Sequence, residues 1–385
     1  MEKQTVYLDN AATTQIKTEV VQAMLPFLSE KYGNPSGIYH IAEESRQAID
    51  EARGYLAALL NCVREEIYFT SGGSEADNWA VKGVAEANRE KGNHIITTKI
   101  EHHAVLNPCK ELEKQGFEIT YLDVDECGSI NLSQLERAIR PTTILISVMT
   151  ANNEVGTIQP IKEIGEIAKK YGVLFHTDAV QAFGHIPIDV EECQIDLLSA
   201  SGHKLYAPKG IGLLYIREGV PISHLIAGGS QERGMRAGTE NVAGMVGFGK
   251  AADLAAKTMV FSGKKEEQLR NYLIWRVFQE IPYVRLNGSR KKRLPNNANF
   301  SFPYVEGDAL LILLDMKGIC ASAGSACSAS SQEASHVLRA IGLSDKMARS
   351  SLRLTLSDVT TREEIDYTVQ QIKEIVGSLR AMRKN

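Results

Sequence analysis

Thr143-Ile-Leu-Ile-Ser-Val-Met149, then residues 161–171, then Val173-Leu-Phe-His-Thr177 form the stretch that decides the fold. The first and last pieces are apolar and rich in β-branched residues, with little polar alternation. Such runs belong to strands covered on both faces, as in parallel sheets. The middle piece has helical spacing, so strand, helix and strand form one crossover unit. The same reading extends outward. Residues 67–70, 94–98, 118–122, 195–199 and 211–216 read as strands, and residues 74–90, 104–115 and 132–139 as helices. The predicted fold class is α/β: a large domain with a mainly parallel central sheet flanked by helices.

Beyond residue 260 the pattern changes. Helices are expected at 266–280, 308–316 and 362–383, and short strands at 299–302 and 351–356. This predicts a large domain of residues 16–260 and a smaller α+β domain of residues 1–15 and 261–385. A length of 385 residues suits about two domains. A net charge of −4, from 43 basic and 47 acidic residues, argues against a nucleic-acid protein. No apolar run approaches the roughly 18 residues of a membrane helix, and the first residues lack a hydrophobic signal core. The expectation is a cytoplasmic protein that engages neither membrane nor nucleic acid. Cysteines 62, 109, 127, 193, 320 and 327 are scattered without a CxxC pair, so neither a disulfide framework nor a zinc pattern is expected.

Several segments carry candidate chemistry, and most fall where strands end, the place at which α/β sheets bind ligands. Thr70-Ser-Gly-Gly-Ser-Glu75 follows a strand and opens a helix. Gly73 and Ser74 there could approach an anion, or form an ordinary capped turn. Asp178 ends a buried run and would need a cationic partner if buried, or else caps the next turn. Ser199-Ala-Ser-Gly-His-Lys204 sets an amine beside an imidazole; burial would make that lysine a better imine-forming nucleophile. In Glu101-His102-His103, one imidazole could stack on a ring and move protons while the other stands by. Residues 228–239 are rich in glycine and donors and suit an anion-closing loop or a surface loop. Arg353 could grip a carboxylate or make a surface ion pair. Cys327 lies in Ala-Ser-Ala-Gly-Ser-Ala-Cys-Ser-Ala-Ser-Ser, residues 321–331, where no bulky sequence neighbour pins the thiol.

Taken in order, these segments resemble the cysteine desulfurases of the NifS/IscS type, which are class V aminotransferase, fold type I pyridoxal-phosphate enzymes. The likeness covers nearly the whole chain. It is carried by Tyr7-Leu-Asp-Asn-Ala-Ala-Thr-Thr, Gly33-Asn-Pro-Ser, Thr70-Ser-Gly-Gly-Ser-Glu, Glu101-His-His-Ala-Val and Asn152-Asn-Glu-Val-Gly. His176-Thr-Asp-Ala-Val-Gln, Ser201-Gly-His-Lys, Arg233-Gly-Met-Arg-Ala-Gly-Thr, Gly324-Ser-Ala-Cys and Ser351-Leu-Arg complete it.

The resemblance implies pyridoxal 5'-phosphate as cofactor and L-cysteine as substrate. It implies that Lys204 is the Schiff-base lysine, that Asp178 pairs with the pyridinium nitrogen and that Gln181 bonds the ring oxygen. His102 becomes the stacking acid/base. Gly73, Ser74, Ser201 and His203 would hold the phosphate, and Thr239 would reach the phosphate of the neighbouring subunit in a homodimer. Asn153 would touch ring and substrate, and Asn34 and Arg353 the substrate carboxylate. Cys327 would take the sulfur as a persulfide and pass it to an acceptor such as an iron–sulfur scaffold, for cluster assembly, thio-cofactor synthesis or tRNA thiolation. No resident metal is implied, although Cys327 could transiently ligate a cluster iron on a scaffold. The small-residue segment resembles the long-loop class. Ser74, Gly37, Ala321 and Ala323 depart from the family's usual residues without removing a reacting group. A transaminase, a selenocysteine lyase and a non-catalytic binding homologue are the alternatives.

Overall fold

The computed structural model describes residues 5–323 and 334–382. β1 (Val6–Tyr7) comes first. Seven strands then alternate with helices: β2 (Ile67–Thr70), β3 (His94–Thr98), β4 (Glu118–Leu122), β5 (Thr143–Ser147), β6 (Leu174–Asp178), β7 (Leu197–Ser201) and β8 (Gly212–Ile216). β9 (Arg285–Asn287), β10 (Asn297–Ser301), β11 (Ile319–Cys320) and β12 (Ser351–Thr355) follow.

The seven strands form one sheet in the order β2-β8-β7-β6-β5-β3-β4. Neighbours from β7 to β4 pair in parallel, whereas β8 runs antiparallel to both β2 and β7. The expected mainly parallel α/β sheet is therefore present. Successive strand residues point to opposite faces. Ile96, Ile146, Leu198 and Leu213 enter one apolar cluster with Leu56 and Leu60 of the helix His40–Leu60. Their sequence neighbours Ile95, Leu145, Leu197 and Leu214 enter another with Trp79 and Val105. Both faces are covered, which is why the strands read as unbroken apolar runs.

A separate cluster unites Val6, Leu8, Phe300, Leu352, Leu354, Ile365 and Ile372. It covers the antiparallel sheet β12-β10-β9, with β1 pairing in parallel with β11 beside it. The helix Val242–Glu280, 39 residues long, serves both regions. It extends about 58 Å at 1.5 Å per residue. Phe248 and Ala252 pack in the first cluster, and Leu273 and Val277 in the second. The sequence reading expected only its second half, and the boundary expected at residue 260 falls inside it. Its glycines hid the first half. A Cβ on Gly249 would lie 2.4 Å from Ala52 Cα, so the helix needs glycine to approach its neighbour.

The helix His40–Leu60 was also missed, because its buried face carries Ala42, Ser45, Ala52 and Arg53 among the larger apolar residues. Arg53 makes a buried bidentate pair with Glu232, at 2.9 and 2.8 Å, and Glu232 also accepts from Phe69 N. Glu232→Ala would strand the Arg53 charge. It is expected to cost about 3–5 kcal/mol in urea unfolding; a change within 0.5 kcal/mol of zero, about the scatter of surface substitutions, would refute this.

Candidate active site

The carboxyl ends of β2, β3, β5, β6 and β7 lie on one edge of the sheet. The chain places β4 on one side of β3 and β5 on the other. That reversal opens a crevice at the strand ends. A cavity of about 180 Å³ lies there, with Gly73, Ser74, His102, Asn153, Asp178, Gln181, Ser201, His203, Lys204 and Arg353 in its wall. Ten of the expected residues, drawn from six places in the sequence, thus meet in one space. Asn34 and Thr239 are exposed and are not in this wall. Cys327 lies outside the described residues.

Lys204 ends the short 3-10 turn after β7, and its Nζ donates to Ala11 O at 2.6 Å and Ala12 O at 2.7 Å. Gln181 Nε2 donates to the same Ala11 carbonyl at 2.9 Å. The N-terminal segment therefore closes the crevice, which no local pattern in the sequence announced. His203 Nδ1 lies 3.2 Å from Thr13 Oγ1.

Asp178 is the last residue of β6 and is buried. Burial pushes its carboxyl up, opposed by the bond from Val180 N and the charge of Lys204. Asp77 also faces the cavity, is buried, and has an oxygen, Oδ1, without a hydrogen-bond partner. Burial and the neighbouring Asp178 raise it well above the ordinary carboxylate range. Sequence reasoning passed over Asp77, which stands two residues beyond the quoted Thr70–Glu75 run.

His102 caps the helix His103–Glu113, its Nδ1 accepting from Ala104 N at 3.1 Å. An accepting Nδ1 leaves the ring proton on Nε2. Burial, with His103, Lys204 and His336 nearby, lowers its pKa to about 4, so the imidazole is neutral at pH 7. Beneath it, Glu101 Oε1 accepts from Thr98 Oγ1 and Met149 N, while Oε2 has no partner. Burial pushes Glu101 up to about 8. A raised carboxyl binds its proton more tightly folded than unfolded, so stability falls as pH rises from the ordinary carboxylate range to about 8. Urea unfolding of the cofactor-free protein between pH 5 and 9 should show this fall, and Glu101→Gln should make the slope shallower. An unchanged slope in that variant would refute the assignment.

Arg353, on β12, is 1% exposed. Its Nη2 donates to Asp9 at 2.8 Å and its Nη1 to Asn153 O at 3.0 Å, while Nε has no partner. Sequence reasoning did not single out Asp9. It orients the guanidinium and offsets its charge, and the unpartnered Nε remains as a donor.

The cavity suits pyridoxal phosphate. Asp178 calls for a cationic partner, and a protonated ring nitrogen supplies one. Ser74, Ser201 and His203 offer donors for a phosphate on the other side. A Cβ on Gly73 would lie 2.6 Å from Val180 Cγ2, so glycine keeps that turn close-packed. Among the described residues, no group of three or more His, Cys, Asp or Glu could hold a metal ion, and no helix is long and apolar enough to cross a membrane.

Residues 6–368 match the family described as aminotransferase class-V. The chain is 56% identical over 381 residues to a cysteine desulfurase IscS of Methanosarcina thermophila, covering 99% of this chain and 94% of that one. It is 54% identical over 384 residues to a cysteine desulfurase IscS of Clostridium botulinum strain Hall, covering 99% and 96%. A solved NifS-like protein superposes with a TM-score of 0.92 at 40% identity, covering 97% of this chain and 100% of that one. The solved structure of SspA in complex with cysteine gives 0.82 at 38%, covering 93% and 100%. Strand order, site composition and these likenesses agree: the chain belongs to the aminotransferase class-V family, as one of its pyridoxal-phosphate-dependent cysteine desulfurases.

Proposed function

We propose that the protein converts L-cysteine to L-alanine and carries the released sulfur as a persulfide on Cys327 to an acceptor protein. One observation carries the assignment of roles: a single cavity combines a lysine, a buried aspartate, a neutral imidazole and an oriented arginine. Asp178 would hold the ring nitrogen, Gln181 the ring oxygen, and Gly73, Ser74, Ser201 and His203 the phosphate. Lys204 would anchor the cofactor covalently. Bound pyridoxal phosphate would supply an electron sink for bond changes at the substrate carbons.

Arg353, with Asn34 and Asn153, would hold the substrate carboxylate; its unpartnered Nε supports that role. His102 presents an Nε2 proton and Lys204 an amine, so the two can pass protons to and from the substrate carbons. Cys327, as thiolate, gives an electron pair to the substrate sulfur. The S–S bond forms as the carbon–sulfur bond breaks, and protons complete alanine.

In this reading residues 16–260 act as the large cofactor-binding domain, and residues 1–15 and 261–385 as the small one. Thr239 would serve the partner's phosphate in a homodimer. The acceptor is of the iron–sulfur scaffold kind, and the setting is the cytoplasm. The test is incubation of the cofactor-loaded protein with L-cysteine and a thiol reductant, without a keto acid. Equal amounts of alanine and released sulfur are expected. Alanine formation that required a keto acid would indicate a transaminase, and failure to take up the cofactor would indicate a binding role only.

A further inference from the structure

The loop of residues 228–239 is fastened at three points to β2 and the turn after it. Glu232 accepts from Phe69 N at 2.8 Å and pairs with Arg53. Arg233 donates to Ile67 O at 2.8 Å and lies 4.0 Å over the Tyr68 ring. Arg236 makes a bidentate contact with Glu75, Nε to Oε1 at 2.8 Å and Nη2 to Oε2 at 3.1 Å. Glu75 Oε2 also accepts from Ser71 N at 3.0 Å and from the Ser71 hydroxyl at 2.5 Å. The Glu75 carboxylate therefore closes the Ser71–Ser74 turn on itself and joins it to a loop 161 residues further along the chain.

Glu75 directly follows Ser74. A bare carboxylate there would repel a phosphate held by the same turn, because two like charges in a partly buried site interact strongly. Both side chains of the pair are shielded, Arg236 at 21% and Glu75 at 12% exposure, so solvent screens the pair only partly. Burial by itself would raise the Glu75 carboxyl. The bonds from Arg236 and Ser71 outweigh that and hold it below the ordinary range. The carboxylate is thus charged, and Arg236 is what offsets it.

We propose that Arg236 and Glu75 are positioning residues for cofactor binding, their ion pair shaping the Gly73–Ser74 turn and cancelling the negative charge beside the phosphate. The inference rests on the phosphate placement proposed above. It assigns to Arg236 a part in phosphate affinity without contact to the phosphate.

The experiment compares pyridoxal phosphate with pyridoxal, which lacks the phosphate, by the absorbance change on binding to the cofactor-free protein. Arg236→Leu is expected to weaken pyridoxal phosphate about tenfold, the scale of one uncancelled like charge near a partly buried phosphate, and to leave pyridoxal unchanged. Adding Glu75→Gln to Arg236→Leu removes the uncancelled charge and should recover most of the loss. The exchange Glu75→Arg with Arg236→Glu should also recover part of it. Wild-type affinity in Arg236→Leu overturns the proposal. So does equal weakening of both ligands, which would mark a lesion of the fold, and so does a double variant no better than the single one. Ser74→Ala separates this from the underlying placement. An unaltered preference for the phosphate form in Ser74→Ala overturns the placement itself. A lowered preference there, with a wild-type preference in Arg236→Leu, overturns only the role of the pair.

Discussion

Lys204→Ala is expected to lower alanine formation from L-cysteine by on the order of 10³-fold or more, the scale at which a covalent group's removal disables a constellation that acts as a unit. Lys204 sits where β7 ends, held toward the crevice by the Ala11 and Ala12 carbonyls. No other described lysine lies in the cavity wall. An alanine can neither anchor the cofactor nor return a proton, while in the proposed placement Asp178, Ser74, Ser201 and His203 would still hold it non-covalently. The variant should therefore still bind pyridoxal phosphate, more weakly, and lack the absorbance band of the lysine-linked form. A retained band, or alanine formation within tenfold of wild type, would show that another amine does this work.

Cys327→Ser is expected to keep the cofactor and its visible absorbance and to lose alanine formation by about 10²-fold or more, with no persulfide detectable by thiol labelling. A serine hydroxyl cannot stand in for a thiolate near neutral pH, because the thiolate, not the protonated group, attacks sulfur. The other cysteines do not offer a replacement. Burial holds the thiols of Cys62 and Cys109 up at about 12 and also raises those of Cys193 and Cys320, which keeps them protonated. Cys127 is exposed but is not among the residues of the cavity wall. Normal rates of alanine and persulfide formation in the serine variant would remove Cys327 from the reaction. The two variants differ in kind. Loss of Lys204 should alter the cofactor spectrum, whereas loss of Cys327 should leave that spectrum and stop sulfur transfer.

The central sheet was legible because its strands alternate between two covered faces. Ile95 and Ile96, or Leu145 and Ile146, are apolar neighbours that enter opposite clusters, and nothing but a sandwiched sheet requires both. The site residues were legible as residue types at strand ends: Ser201-Gly-His-Lys204 after β7, Asp178 at the end of β6 and Glu101-His102 after β3. Helices with small buried faces were not legible. Arg53 inside the helix His40–Leu60, and Gly249 inside Val242–Glu280, depress any apolar periodicity, yet each is required by a contact elsewhere: Glu232 for the first, Ala52 for the second.

By itself, then, the sequence determined the fold class through its local runs, and pointed to most groups in the cavity wall through the ordered set of motifs that carries the family resemblance. Only the tertiary structure decided how those groups are set. It brought Ala11 and Ala12 to Lys204, Asp9 to Arg353, Asp77 into the same cavity as Asp178 and Glu75 to Arg236. It also placed His102 so that burial and a helix cap fix its charge and its tautomer. These are long-range matters. Burial, charge pairing and hydrogen-bond saturation depend on what arrives from a distant part of the chain, and no window of sequence around a residue contains its partner.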